Sequence, residues 1–234
     1  MEGRGFPDLG LNRMSHTRIR PERRIFWAAV VVLCTIATAV SIRRLVALAD
    51  SSATSASPLA ALDAMFAAKA GLTRAHVVTG LLLALCIPVQ LSARIRRQFP
   101  HIHRWLGRTL MIVGIVVGLS GYAMVVTPIG GPLEVSAIAF YGTALLASLL
   151  IAWRHIRRGD VIRHREWILR AIAIVLGIGT TRPVVAVFFA TSPLTQLSPS
   201  QFFGAAFWIG FTSTALAGEW YVRSTRHDRQ IRSD

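Results

Sequence analysis

Lysine and acidic residues are scarce in this chain of 234 residues. Lys69 is its only lysine, beside 25 arginines, and 11 acidic residues leave a formal net charge of +15. A surplus of this size is also found in nucleic-acid-binding proteins. Here, however, the arginines lie in short segments between long apolar runs, which is typical of the flanks of membrane helices. We therefore expect no nucleic-acid partner.

Cysteine is almost absent as well. Cys34 and Cys86 both fall inside apolar runs, where a cysteine behaves as a small hydrophobic residue. The sequence therefore predicts neither a disulfide nor a thiolate metal site. It also lacks a nucleotide-binding glycine loop, a helical His-Glu zinc motif and a serine elbow. No known enzyme signature is left, and whether the chain is an enzyme stays open.

Apolar residues dominate what is present. They make up 53% of the chain against 16% charged residues, which is too apolar for an ordinary soluble domain. Six runs approach the roughly 20 residues that cross a bilayer as a helix. They cover residues 25–42, 75–91, 109–126, 135–153, 167–189 and 202–222. The sequence therefore predicts an all-α fold, a polytopic membrane helix bundle with six transmembrane helices.

Two features of these runs need separate comment. Ala47-Leu48-Ala49 looks like the cleavage site of a signal peptide, but the first run is longer than the usual signal core, so we favour an uncleaved span. In the third run, Gly114 and Gly118 stand four residues apart. This spacing lets two helix backbones approach closely and predicts a packing face.

The arginines are distributed unevenly over the connections. Twenty-one of them fall in the two terminal segments and in the second and fourth connections, so both termini are predicted to be cytoplasmic. The predicted organisation is a basic cytoplasmic N-terminal segment at 1–24, a membrane domain at 25–222 and a basic cytoplasmic tail at 223–234. Residues 43–74 form a predicted outer loop, in which residues 59–70 are expected to form a short amphipathic helix on the membrane surface.

Two basic motifs precede the third and fifth spans. HRWLGR at 103–108 and HREWILR at 164–170 each form a predicted turn that places a histidine near a helix N-terminus at the cytoplasmic edge. Two neutral imidazoles on facing helices are what a bis-histidine haem requires. His103 and His164 are therefore candidate ligands of haem b in an electron carrier. The alternative is that the histidines and tryptophans of these motifs anchor helices at the interface.

The arginines of the same motifs suggest a site without redox chemistry. Arg104, Arg108, Arg165 and Arg170 lie near two helix N-termini, where guanidinium groups and free backbone N–H groups suit phosphate or carboxylate. An anionic lipid headgroup is such a ligand, so membrane lipids are the expected partners, and protein partners are unknown. The alternative for each arginine is simple anchoring by positive charge on the cytoplasmic side.

Arg182 lies inside the fifth span, at a depth of roughly 22 Å from the inner edge by helical rise. Charges at such depth usually face the bundle interior and a partner. No acidic residue occurs in the middle of a span. Candidate partners are Glu134, carbonyls freed by Pro183, or an acidic ligand in a pocket shared with His76. A transporter of an acidic solute that uses Arg182 and His76 is therefore one hypothesis, and snorkelling of Arg182 to the outer interface is the alternative.

Several of these residues together resemble a known family. The matching positions are HVVTG at 76–80, Gln90, Arg94, PHIHRWLGR at 100–108, RRGD at 157–160, HREW at 164–167 and Arg182. The pattern, over residues 75–219, resembles the bacterial predicted membrane protein family called domain of unknown function 2306. The resemblance implies a multi-pass inner-membrane protein without an assigned activity. Our leading interpretation is a binding or structural protein with a His/Arg-rich site at the cytoplasmic edge.

Overall fold

The computed structural model describes residues 21–50 and 59–230, which form helices and contain no strand. This confirms the all-α prediction. The helices are α1 (Pro21–Ala49), α2 (Ala60–Ala67), α3 (Ala70–Leu91), α4 (Ala93–Gln98), α5 (Pro100–Met124), α6 (Gly131–Arg157), α7 (Val161–Thr195) and α8 (Pro199–Gln230).

Helices α1, α3, α5, α6 and α7 are long and apolar enough to cross a membrane. The sixth predicted span, 202–222, lies within α8, where glycine, serine and threonine dilute the apolar residues. The chain is therefore a membrane protein with five helices of spanning length and composition in its described part. The sixth span and the cytoplasmic location of both termini stay predictions.

The five apolar helices form a ring. In the order α1, α3, α5, α6 and α7, each packs on the next, and α7 returns to α1. Helix α8 packs along α7 and α6, and α2 sits across α1 and α3 at one end. We call this the α2 end, and we call the opposite end, with residues 93–108 and 154–170, the arginine-rich end. Cys34, Leu83 and Leu176, on three helices of the ring, belong to one apolar cluster.

Both basic motifs are helical, which corrects the prediction that they form turns. HRWLGR belongs to the first turns of α5, which begins at Pro100, and HREWILR belongs to α7. The Oδ1 atom of Asp160 accepts a hydrogen bond from the backbone N of Arg163 at 2.9 Å and caps α7. The length of an apolar run reflects only the thickness of the hydrocarbon layer. The helix itself continues into the headgroup layer, where its side chains are charged. The spans were therefore predicted too short.

Helices α1 and α8 extend beyond their predicted limits for the same reason. Helix α1 continues to Ala49, so Arg43 and Arg44 are helical and do not belong to a loop. Helix α8 continues to Gln230, so most of the predicted tail is helical. Residues 1–20 of the predicted N-terminal segment and residues 51–58 of the outer loop lie outside the described residues.

Helix α2 lies within the segment expected to form a short helix on the membrane surface, and it packs on the bundle. Leu62 and Asp63 are buried against the ends of the neighbouring helices. The carboxylate of Asp63 accepts hydrogen bonds from Arg43 at 2.7 and 3.0 Å and also contacts Arg44. Burial opposes ionisation of Asp63, but these bonds and charges lower the pKa of its carboxyl below the usual value. Asp63 therefore fixes α2 to α1.

Helices α7 and α8 approach each other closely. A Cβ atom added at Gly210 would lie 2.7 Å from the backbone N and 2.8 Å from the Cα of Thr181. Near the arginine-rich end, the Nε atom of Arg170 donates to Glu219 at 2.8 Å, and Arg226 pairs with the buried Glu166. The glycine contact and the ion pairs together hold α8 in register against α7.

Candidate binding cavity

A cavity of about 180 Å³ lies inside the ring near the α2 end. All helices of the ring contribute to its wall, together with α8 and with Phe66 of α2. Most wall residues are apolar. Helix α8 contributes Phe203, Phe207 and Phe211, which share one face because four residues make about one helical turn. The cavity is therefore an apolar and partly aromatic space in which a few polar side chains stand out.

Arg182 is the polar side chain of α7 on this wall. Its Nε atom is buried and has no hydrogen-bond partner, and no ion pair of Arg182 occurs among the described residues. Helix α7 continues through Pro183. The cavity thus contains a buried guanidinium group that the described part of the protein does not neutralise.

Glu134 lines the same cavity but is engaged elsewhere. Its Oε2 atom accepts hydrogen bonds from the backbone N–H groups of Ile129 and Gly130, both at 2.7 Å. These bonds satisfy N–H groups just before α6 begins, as acidic side chains near a helix N-terminus commonly do. Glu134 forms no hydrogen bond or ion pair with Arg182. The partnership considered from the sequence is therefore absent from this structure.

His76 of α3 also lines the cavity. Its Nδ1 atom is 2.8 Å from the Oγ atom of Ser120 on α5. His76 and Arg182 lie within electrostatic range of each other. The structure thus brings these two residues, which the sequence assigned to one pocket, to the wall of one cavity. Their role in ligand binding stays a prediction.

Arg44 is a cavity residue that the sequence reasoning missed. It is only 7% exposed, lines the cavity, and places its Cζ atom 4.0 Å from the ring centre of Phe66. Its carboxylate partner, Asp63, is shared with Arg43. The only sequence signal was the apolar run before Arg44, which could have continued as a helix beyond the predicted span. Asp63 thus pairs with two arginines at once, one of which lines the cavity.

The two histidines proposed as haem ligands lie together at the arginine-rich end, on helices that flank α6. The Nδ1 atom of His164 is 2.9 Å from the carbonyl oxygen of Ala152 in α6. His103 lies within electrostatic range of His164, and its Nδ1 atom is buried without a hydrogen-bond partner. The side chain of Gln90 donates to the carbonyl oxygen of His103 at 3.2 Å. His164 thus links α7 to α6, and haem ligation stays a prediction.

The four arginines proposed for anion binding occupy two separate helices. Arg104 and Arg108 lie on α5, with Arg104 exposed and the Cζ atom of Arg108 5.5 Å from the ring centre of Trp105. Arg165 and Arg170 lie on α7, where Arg170 already pairs with Glu219. The two pairs of arginines therefore lie on helices that both pack on α6, and one of the four already has a carboxylate partner in the protein. Lipid binding by these arginines stays a prediction.

The described residues lack the usual composition of a protein metal site. They contain no group of three or more His, Cys, Asp or Glu side chains that could hold a metal ion. Cys34 and Cys86 are free thiols, which confirms the expectation that they form no disulfide. The chemistry of the described site therefore depends on Arg182, His76 and the apolar wall.

We expect the purified protein to be colourless, even when haem is supplied during expression. The Nδ1 atom of His164 already contacts the carbonyl oxygen of Ala152 in α6, and the cavity described above lies at the other end of the ring. A visible absorption spectrum tests this expectation. A low-spin haem spectrum that either His103→Ala or His164→Ala removes would contradict it, because loss of one axial ligand abolishes such a spectrum.

Comparison with known proteins identifies a family. A family model described as predicted membrane protein (DUF2306) matches residues 73–218. No curated protein and no solved structure matches the chain. The matched region contains both basic motifs and both His76 and Arg182, whereas Arg44 and α2 precede it.

Proposed function

The chain belongs to the family of predicted membrane proteins that carry domain DUF2306, and we propose that it binds a small organic acid as its anion in the cavity near the α2 end. One observation carries this proposal: the buried Arg182 has no partner among the described residues, although it lies on the wall of a cavity. Its ligand would bring a carboxylate to Arg182 and an apolar body to the remaining wall.

Electrostatics supports an anion as the ligand. An arginine in an apolar membrane interior costs about 2.5 to 3.5 kcal/mol or more unless it is paired or solvated. The nearby carboxylates are engaged: Asp63 holds Arg43 and Arg44, and Glu134 holds two backbone N–H groups. A ligand carboxylate could bind Arg182 through two parallel charge-assisted hydrogen bonds, which are roughly twice as strong as hydrogen bonds between neutral groups.

The size and the lining of the cavity support a small apolar acid. A cavity of about 150 Å³ accommodates benzene, so a cavity of about 180 Å³ accommodates a molecule close to benzoate in size. Aromatic side chains such as Phe203, Phe207 and Phe211 would pack against a ring in offset or edge-to-face geometry. Inorganic phosphate has no apolar part that could pack against this wall, so it fits the cavity less well than an aromatic acid.

Transport of the same acid is a second candidate function. It is favoured by the position of the cavity inside a ring of five helices that could cross a membrane. The apolar cluster that contains Leu83 and Leu176 packs α1, α3 and α7 against one another, and transport would require these helices to move apart. We further propose that the protein lies in the inner membrane of a bacterium, with its arginine-rich end in the cytoplasm against anionic lipid headgroups.

We expect benzoate to raise the temperature at which the detergent-solubilised protein unfolds, and benzamide to have no such effect. The two molecules have nearly the same size and ring, but only benzoate carries the charge that Arg182 requires. Benzoate at about 100 times its Kd should stabilise the folded protein by about 2.7 kcal/mol. Thermal unfolding with each compound provides the comparison. Equal stabilisation by both would contradict the proposal, since binding would then not depend on the anion.

A further inference from the structure

We infer that the acid carries a hydrogen-bond donor in addition to its carboxylate, and that the Nε2 atom of His76 accepts this bond. A hydroxylated carboxylic acid with an apolar frame is the ligand class that fits. The inference rests on the proposed function, because it places the carboxylate of the ligand at Arg182. It adds a second point of recognition on a different helix.

The tautomer of His76 follows from its neighbours. The hydroxyl of Ser120 donates its single hydrogen to the carbonyl oxygen of Val117 at 3.1 Å. In the arrangement in which Ser120 donates to Val117, its Oγ atom accepts from the Nδ1 atom of His76 at 2.8 Å. This arrangement places the imidazole proton on Nδ1. At neutral pH an imidazole is mainly uncharged, so Nε2 carries a lone pair and acts as an acceptor.

The Nε2 atom of His76 is available to a ligand. No hydrogen bond to it occurs among the described residues, and the side chain lines the cavity. The bond to Ser120 ties the ring on α3 to α5 and fixes its orientation. Gly121 beside it adds no side chain, and a Cβ atom there would lie 3.9 Å from the Cε1 atom of His76. The imidazole is therefore held in place without being covered on this side.

Two residues with opposite hydrogen-bonding roles thus line one cavity. Arg182 can only donate hydrogen bonds and carries a positive charge, whereas Nε2 of His76 can only accept one. Because they belong to α7 and α3, a single ligand that satisfies both connects two helices of the ring. A ligand group with lone pairs but no hydrogen would meet the lone pair of Nε2 and be disfavoured. The pair therefore selects hydroxylated acids over their ethers.

The test compares benzoate, 3- and 4-hydroxybenzoate, and 3- and 4-methoxybenzoate by equilibrium dialysis against the full chain in lipid nanodiscs. We expect at least one hydroxybenzoate to bind about tenfold more tightly than benzoate, the gain of one good hydrogen bond. Its methoxy counterpart should show no gain, because it keeps the oxygen but lacks the hydrogen. In His76→Phe, hydroxybenzoate and benzoate should bind with about equal affinity, because the hydroxyl has lost its acceptor.

The outcomes separate this inference from the proposed function. If benzoate does not bind at all, the proposed function fails and the inference fails with it. If benzoate binds but neither hydroxybenzoate binds more tightly, only the inference is overturned, and this result needs no variant. A hydroxyl advantage that persists in His76→Phe would also overturn it, because the acceptor would then be another group.

Discussion

Arg182→Gln is expected to abolish benzoate binding and to raise the unfolding temperature of the ligand-free protein. Truncating one partner of a buried, hydrogen-bonded charge pair costs about 2 to 5 kcal/mol of binding free energy, so affinity should fall on the order of 100-fold. Among the described residues, the buried Nε atom of Arg182 has no hydrogen-bond partner, and Arg182 forms no ion pair. Its replacement removes an uncompensated charge, and the unfolding temperature should rise by a few degrees.

Arg170→Gln provides the matched control for stability, since Arg170 belongs to the same helix. Its guanidinium group pairs with Glu219 at 2.8 Å and lies 4.7 Å from the ring centre of Trp167. Its loss leaves Glu219 with fewer partners, so the unfolding temperature should fall. Thermal unfolding of both variants, with and without benzoate, provides the comparison. A destabilised Arg182→Gln protein that still binds benzoate would show that Arg182 has a structural role.

Gly210→Ala is expected to destabilise the protein, and Gly71→Ala is expected not to. A methyl group at Gly210 would press on the backbone of Thr181, at 2.7 Å from its N atom and 2.8 Å from its Cα atom. Backbone atoms cannot rotate away, so α7 and α8 must separate, and overpacking of this kind costs about 1 to 3 kcal/mol or more. Association of helices in a membrane depends on such close packing.

Gly71 receives the same methyl group and the same gain in helix propensity. A Cβ atom at Gly71 has no neighbour within 4 Å, so Gly71→Ala should be neutral or stabilising by up to about 1 kcal/mol. Unfolding of both variants under identical detergent conditions isolates the effect of the contact with Thr181. Equal stabilities of the two variants would contradict the close approach of α7 and α8.

The fold was predictable where composition alone determines it. Apolar runs of spanning length are visible in the sequence, and α1, α3, α5, α6 and α7 correspond to five of them. The ends of the helices were not predictable in the same way. A basic segment such as HRWLGR shows no helical periodicity of apolar residues. Its side chains lie in the headgroup layer, where polar residues are tolerated on every face of a helix.

The interface between α7 and α8 shows a second limit. Gly114 and Gly118 were correctly expected to lie at a packing face, and both are buried against leucines of α6. The tighter contact involves Gly210 and Thr181, which no spacing rule connects. A small residue indicates that another helix can approach closely at that point, but the amino-acid sequence does not show which helix it is.

The cavity was partly predictable. Arg182 stood out because a charge inside an apolar run is costly, and His76 followed because it begins another span at the same end. The pairing of Arg44 with Asp63 was not predictable, because it depends on how α2 folds back onto the ring. The tautomer of His76 was also hidden, since it follows from the bond that Ser120 donates to its own helix.

Equilibrium dialysis of radiolabelled benzoate against the full chain in nanodiscs tests the central claim most directly. Nanodiscs that contain Arg182→Gln correct for benzoate that dissolves in the lipid. We predict saturable binding of one benzoate per wild-type chain, displaced by excess unlabelled benzoate but not by benzamide, and no saturable binding to the variant. Absence of saturable binding to the wild type, or equal binding to both proteins, would contradict the claim that Arg182 holds an organic anion in this cavity.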